Sequence, residues 1–188
     1  MSDVIRTAAP GADTVLDSDS ADLAEFAGQI ADQVESFLVA VRAVARGDAA
    51  GAAVPMLLLE VSQVLLAGGR LGAVHDVVPE ERFETDAGPD PDLDELREKL
   101  AELLRPCDVY REVFDPLAAE PVLERRLISD DLASVVAELA HGLAHHRAGR
   151  TTEALWWWQF SYFTGWGPAA SAAMRALQSI VSGARLQH

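Results

Sequence analysis

The sequence has little that could bind or cross-link: one cysteine (Cys107), one lysine (Lys99) and no basic run in 188 residues. A lone thiol excludes an intramolecular disulfide, and a chain without a cysteine framework is expected in a reducing cytoplasm. Fourteen arginines and that one lysine face 30 Asp and Glu, for a formal net charge of −15. The arginines pair at helical or adjacent spacing (Arg42 with Arg46, Arg125 with Arg126, Arg147 with Arg150) and form no patch. Direct contact with nucleic acid or an anionic membrane is therefore disfavoured. The first residues lack the apolar stretch of a secretory signal. The longest apolar run, 52–68, is interrupted by Pro55, Glu60, Ser62 and Gln63, so no membrane span is expected. There is no serine or cysteine nucleophile motif, and the glycine-rich 67–72 stretch lacks a preceding strand and a P-loop lysine. No catalytic residue and no cofactor are assigned.

What is present is helical patterning. Leu23, Phe26, Ile30, Val34, Phe37, Leu38, Val41 and Val44 recur at three- and four-residue steps. They predict a helix from about Asp22 to Arg46, stopped by Gly47. Pro55 opens a second helix, 54–67, apolar around most of its axis and ended by Gly68-Gly69. Residues 70–91 hold three prolines and six carboxylates and read as a long acidic loop. Asp92 starts a leucine-rich helix that ends before Pro106, and 108–116 reads as a short helical turn. Ser129 is the expected cap of a helix reaching about Ala148. Thr151 or Thr152 opens the next helix, Gly165 and Gly167 break it, and Pro168 opens the last. The fold class is all-α: a single-domain bundle of about six helices over 21–188, behind a disordered leader at 1–20, with no convincing pair of strands.

Seven of the twelve aromatic residues fall between Trp156 and Trp166, including all four tryptophans. At about 100° per residue, Leu155, Trp158, Tyr162 and Trp166 share one side of a helix. Trp156, Phe160 and Phe163 share another, and a helix apolar on two sides is expected to be wedged between neighbours. Trp157 lies on a third arc with Ser161 and Thr164, whose hydroxyls suit a polar cleft. With His75 and Asp76 of the acidic loop, these three make the candidate binding surface. Glu138, His141 and His145 share one helix face, at the spacing of inward metal ligands in helical bundles. With Glu60, the only charge in a very apolar helix, they make a candidate metal set. The opposite arc of the 129–148 helix is the apolar one, so its histidines are expected to face water, and Glu60 to sit on a wet face shared with Gln63.

The stretches QIADQVESFLVAV, LLLEVSQVLLAGGRLGA, DVYREVFDP, ISDDLA and HGLAHHRAGRTTEALWWWQFSYFTGWG together resemble the bacterial domain-of-unknown-function family 5063, over about residues 22–185. The tryptophan block and the HHRAGR before it are the specific part. The resemblance implies a small, mostly helical, cytoplasmic bacterial protein, and brings no activity, cofactor or catalytic residue. On the residues alone, the expected function is a non-enzymatic protein-interaction or adaptor module. Its partner would be an unknown protein or a second copy of the chain. The alternative is a metal-dependent helical-bundle enzyme using Glu60, Glu138, His141 and His145.

Overall fold

A computed structural model describes residues 12–79, 93–113 and 115–186. Among them are six α-helices and one hairpin: α1 (Ala12–Ala45), α2 (Ala53–Ala73), α3 (Asp94–Leu104), β1 (Val109–Val113), β2 (Leu123–Leu127), α4 (Ile128–Arg147), α5 (Thr151–Thr164) and α6 (Trp166–Leu186). The fold is all-α apart from the hairpin.

The expected apolar stripe of α1 is its core face, with Ile30, Val34, Phe37, Leu38, Val41 and Val44 buried. The helix begins at Ala12, however, so it runs through much of the stretch read as a leader, and Asp22 lies inside it instead of capping it. Gly47 and Gly149 end α1 and α4 in the left-handed conformation, at φ 91° and 77°. The Asp48 and Arg150 amides then fold back onto the carbonyls of Ala43 and His145.

Gly68 and Gly69 do not stop α2, which continues to Ala73. Gly68 is a packing notch instead: a Cβ there would stand 2.3 Å from the Tyr162 ring and 2.6 Å from that of Trp166. α2 therefore approaches the aromatic helices closely enough to extend past the expected end. Leu57, Val61, Val64 and Leu71 bury its inner face. By length and composition α2 is apolar enough to cross a membrane; here that inner face belongs to the protein core.

Glu60 is buried on α2, not on a wet face, and has no hydrogen-bond or ion-pair partner among the described residues. Burial pushes its carboxyl above the usual range. The folded chain thus holds this proton more tightly than the unfolded chain. The stability it contributes is full below the ordinary glutamate value of about 4.3 and is lost as pH rises through the higher folded value. Glu60→Gln is accordingly expected to raise the Tm at pH 7 and to leave it unchanged near pH 4, measured by thermal unfolding at both.

The hairpin replaces the helical turn expected at 108–116. β1 and β2 pair antiparallel, with Val109 opposite Leu127 and Val113 opposite Leu123. The step of Val109, Tyr110 and Val113 imitates a helix, while Pro116 and Pro121 lie in the connecting loop, where the Leu117 amide donates to the Asp115 carboxylate. The acidic stretch 80–92 and the start proposed at Asp92 lie outside the described residues.

Candidate functional site

Three of the four tryptophans bind helix to helix. The indole N–H groups of Trp157 and Trp158 donate to the carbonyls of Glu138 and Leu139 on α4, at 3.0 and 3.1 Å. That of Trp166 donates to the Trp158 carbonyl at 3.1 Å. Leu155, Trp158 and Trp166 are fully buried, whereas Phe160 and Phe163 are about half exposed (49% and 56%). The wedge expected from two apolar sides is thus closed on one side only.

Trp157 is half-buried against α4, its ring 4.1 Å from that of His141. The Ser161 and Thr164 hydroxyls turn back to the carbonyls of Trp157 and Phe160. The histidine-bearing arc of α4, expected to face water, faces α5: His145 is fully buried and stacks edge-on to His141 at 5.0 Å. Both arcs of α4 are covered because it packs on α1, α3, α5 and α6 together. The Glu138 carboxylate reaches the turn at Gly165. Among the described residues no three His, Cys, Asp or Glu side chains are gathered as a metal-holding set, so Glu60, Glu138, His141 and His145 do not converge.

Two residues along α5, Gln159 points the other way. Its amide nitrogen donates to the carbonyls of Leu71 and His75, and its oxygen accepts from the Val77 amide at 2.8 Å. This pins the start of the loop beside a cavity of about 490 Å³ lined by Leu23, Phe26, Val74, His75, Asp76 and Val77 among others. A two-residue step turns a helix through about 200°, so Trp157 and the His75–Asp76 pair lie on opposite sides of α5 and do not form one surface.

Sequence reasoning missed the second feature, the hairpin and its anchors. Asp108, buried just before β1, accepts the Ser129 amide and hydroxyl, both at 2.8 Å, while its own carbonyl accepts the Ile128 amide at 3.0 Å. The cap of α4 is therefore supplied by Asp108 across 21 residues, not by Ser129. One turn on, the buried Asp131 carboxylate accepts the Tyr110 hydroxyl at 2.5 Å and the Arg126 guanidinium through Nε and Nη2. Burial, then the hydrogen bond to Asp131, holds the Tyr110 phenol above its ordinary value, and the Asp131 hydrogen bond raises that of Arg126.

These anchors set which backbone groups of β1 point outward. In an antiparallel ladder, opposed residues alternate between exchanging both backbone bonds and exchanging none. The bond from Ile128 to Asp108 fixes the phase, so Tyr110 and Glu112 point their backbone groups at β2. Val109, Arg111 and Val113 point theirs away. That outer edge faces a groove against α6. Its narrower end, about 360 Å³, is lined by Val109, Tyr110, Arg111 and Glu112 on one side and by Arg175, Ala176, Ser179 and Ile180 on the other. Consecutive rather than alternate residues line it, so the groove follows the strand edge and not one face. Its wider end, about 480 Å³, continues past Val113 and Pro116 to Tyr162, Phe163, Pro168 and Ser171. Glu112 and Arg175 belong to both ends and pair across the middle at 3.1 Å.

Fold and groove together define a helical-bundle domain carrying a pinned hairpin whose β1 edge borders a groove. The chain belongs to the family described as Domain of unknown function (DUF5063), whose model matches residues 21–183. It is also similar in fold to a crystal structure of protein BF1032 from Bacteroides fragilis, with a TM-score of 0.65 and 17% identity over 80% of this chain and 89% of that one. No curated protein matches the sequence.

Proposed function

We propose that this protein is a non-enzymatic interaction module whose docking surface is the groove between β1 and α6. The observation that carries this reading is the outer edge of β1, whose backbone donors and acceptors at Val109, Arg111 and Val113 face the groove instead of another strand. Proteins usually cover or blunt such an edge, because it is a template for pairing with a further chain. Here the bonds from Ser129 of α4 to Asp108 and from Tyr110 of β1 to Asp131 of α4 hold the template rigid, which lowers the ordering entropy of docking. The rings of Tyr162 and Phe163 with Pro168 give the wide end an apolar floor for an anchoring side chain.

Panning a displayed random-peptide library against the full chain tests the reading. Peptides are expected to be enriched that lose binding to Ser171→Trp and Ser179→Trp. Both serines are exposed, and the indoles would fill the two ends of the groove without entering the core. Absence of enrichment, or binders indifferent to both substitutions, contradicts the reading.

A further inference from the structure

Resting on that reading, we infer that the occupant of the groove is an extended acidic segment that adds to β1 as a third strand and places a carboxylate on Arg175.

The first ground is shape. From Pro168 to Ile180 the groove wall on α6 rises about 18 Å, the length of five or six extended residues, and the outward amides of β1 recur every second residue along it. A strand satisfies that spacing; a helix, whose backbone groups are bonded internally, does not.

The second ground is charge. In a chain of net charge −15, the charged residues lining the groove, among the described residues, are Arg111 and Arg175 against Glu112. Glu112 is buried and already paired. It grips Arg175 through one Nη, and the Arg175 side chain remains 68% exposed. A guanidinium carries five donors in a planar fork, so the others stay open to a second carboxylate. Glu112 is a positioning residue: it aims Arg175 along the groove. Arg111 adds a second positive group beside the strand edge and has no ion-pair partner among the described residues.

The third ground concerns the rival occupant, a second copy of the chain. Two β1 edges paired about a two-fold axis at Arg111 would set one guanidinium opposite its twin, which is destabilising. An acidic strand meets the same position with an opposite charge.

The experiment measures fluorescence anisotropy of a labelled, end-capped ten-residue peptide of alternating valine and glutamate, titrated with the full chain. A valine–lysine peptide serves as the comparison. The glutamate peptide is expected to bind at least about tenfold more tightly, and binding is expected to weaken as salt rises. Arg175→Gln is expected to weaken it about tenfold with the fold retained and the Tm lowered, since the Arg175 side chain lies mostly in solvent but the buried Glu112 loses its cation. Val113→Pro removes one outward amide while leaving the bonds to β2 in place, and is expected to weaken it similarly. Glu112→Gln is expected to reduce the preference for glutamate over lysine, which a purely structural role would not do. Equal affinity for the two peptides, or affinity unmoved by Arg175→Gln, overturns the inference, whether or not Val113→Pro folds. A stoichiometric dimer in sedimentation that is lost in Arg175→Gln also overturns it, by giving the groove to a second copy. Library binders that need the groove but carry no acidic residues would sink this inference and leave the interaction module standing; the lack of any groove binder would sink both.

Discussion

Replacing Gly142 with alanine is expected to destabilise the protein by roughly 2–3 kcal/mol, although the same change in an open helix stabilises by up to about 1 kcal/mol. The geometry decides the sign. The Trp158 indole lies directly on the backbone of α4, and a Cβ on Gly142 would stand 2.2 Å from its Nε1 and 2.4 Å from its Cδ1. The ring has nowhere to retreat: it is fully buried, and its N–H is bonded to the Leu139 carbonyl one turn earlier. Insertion of the methyl breaks that bond or moves α5 off α4. The control is Gly69→Ala, an exposed position in α2 with nothing within 4 Å of the added Cβ. It is expected to stabilise by about 0.5–1 kcal/mol. Chemical denaturation of both variants checks the pair; a loss at Gly69 or a gain at Gly142 would mean that these glycines do not mark the close contacts described.

Asp131→Ala carries the second large effect, a loss of about 3 kcal/mol measured in the same way. Asp131 is buried and accepts from Tyr110 and Arg126 at once, so its removal strands a phenol and a partly buried guanidinium. The figure stands below that for a fully buried pair because the Arg126 side chain keeps about a quarter (24%) of its exposure. A second readout separates this cause from general loosening. Tyr110 is held protonated above its ordinary value by burial and by Asp131. A raised folded value means that the contribution is complete below the unfolded tyrosine value of about 10 and disappears as pH climbs through the folded one. In Asp131→Ala, the Tyr110 phenolate is expected to form at a lower pH than in the parent, followed by ultraviolet absorbance, with Tyr110→Phe identifying the signal.

The helices with one apolar arc, α1 and α4, were legible because their apolar residues recur at three- and four-residue steps. The buried positions of α1 are those its three- and four-residue steps select, and the apolar half of the tryptophan block is in the core. What escaped detection depends on partners distant in sequence. Gly68 looks like a terminator because a glycine pair often is one; only the rings of Tyr162 and Trp166 show it to be a notch. The hairpin strands are five residues each and rich in charge, and their inward polar groups are satisfied by α4 and α6, so neither shows the alternation of a half-buried strand. Ser129 has the right chemistry for a cap, but Asp108 supplies it. The same cause hid the groove: which backbone groups of β1 point outward depends on its pairing with β2, which the sequence of β1 does not contain. Trp157 drew attention by composition, and packing consigned it to the seam between α4 and α5, away from His75 and Asp76.

The most direct measurement is residue-resolved amide hydrogen exchange across β1, with and without the valine–glutamate peptide. In the free protein, the amides of Tyr110 and Glu112 are expected to be protected by β2, while those of Val109, Arg111 and Val113 exchange quickly. Saturating peptide is expected to slow the latter three and leave the former two unchanged. Protection of Val109, Arg111 and Val113 before any peptide is added, or no slowing on saturation, would contradict an open strand edge as the place where this protein receives its partner.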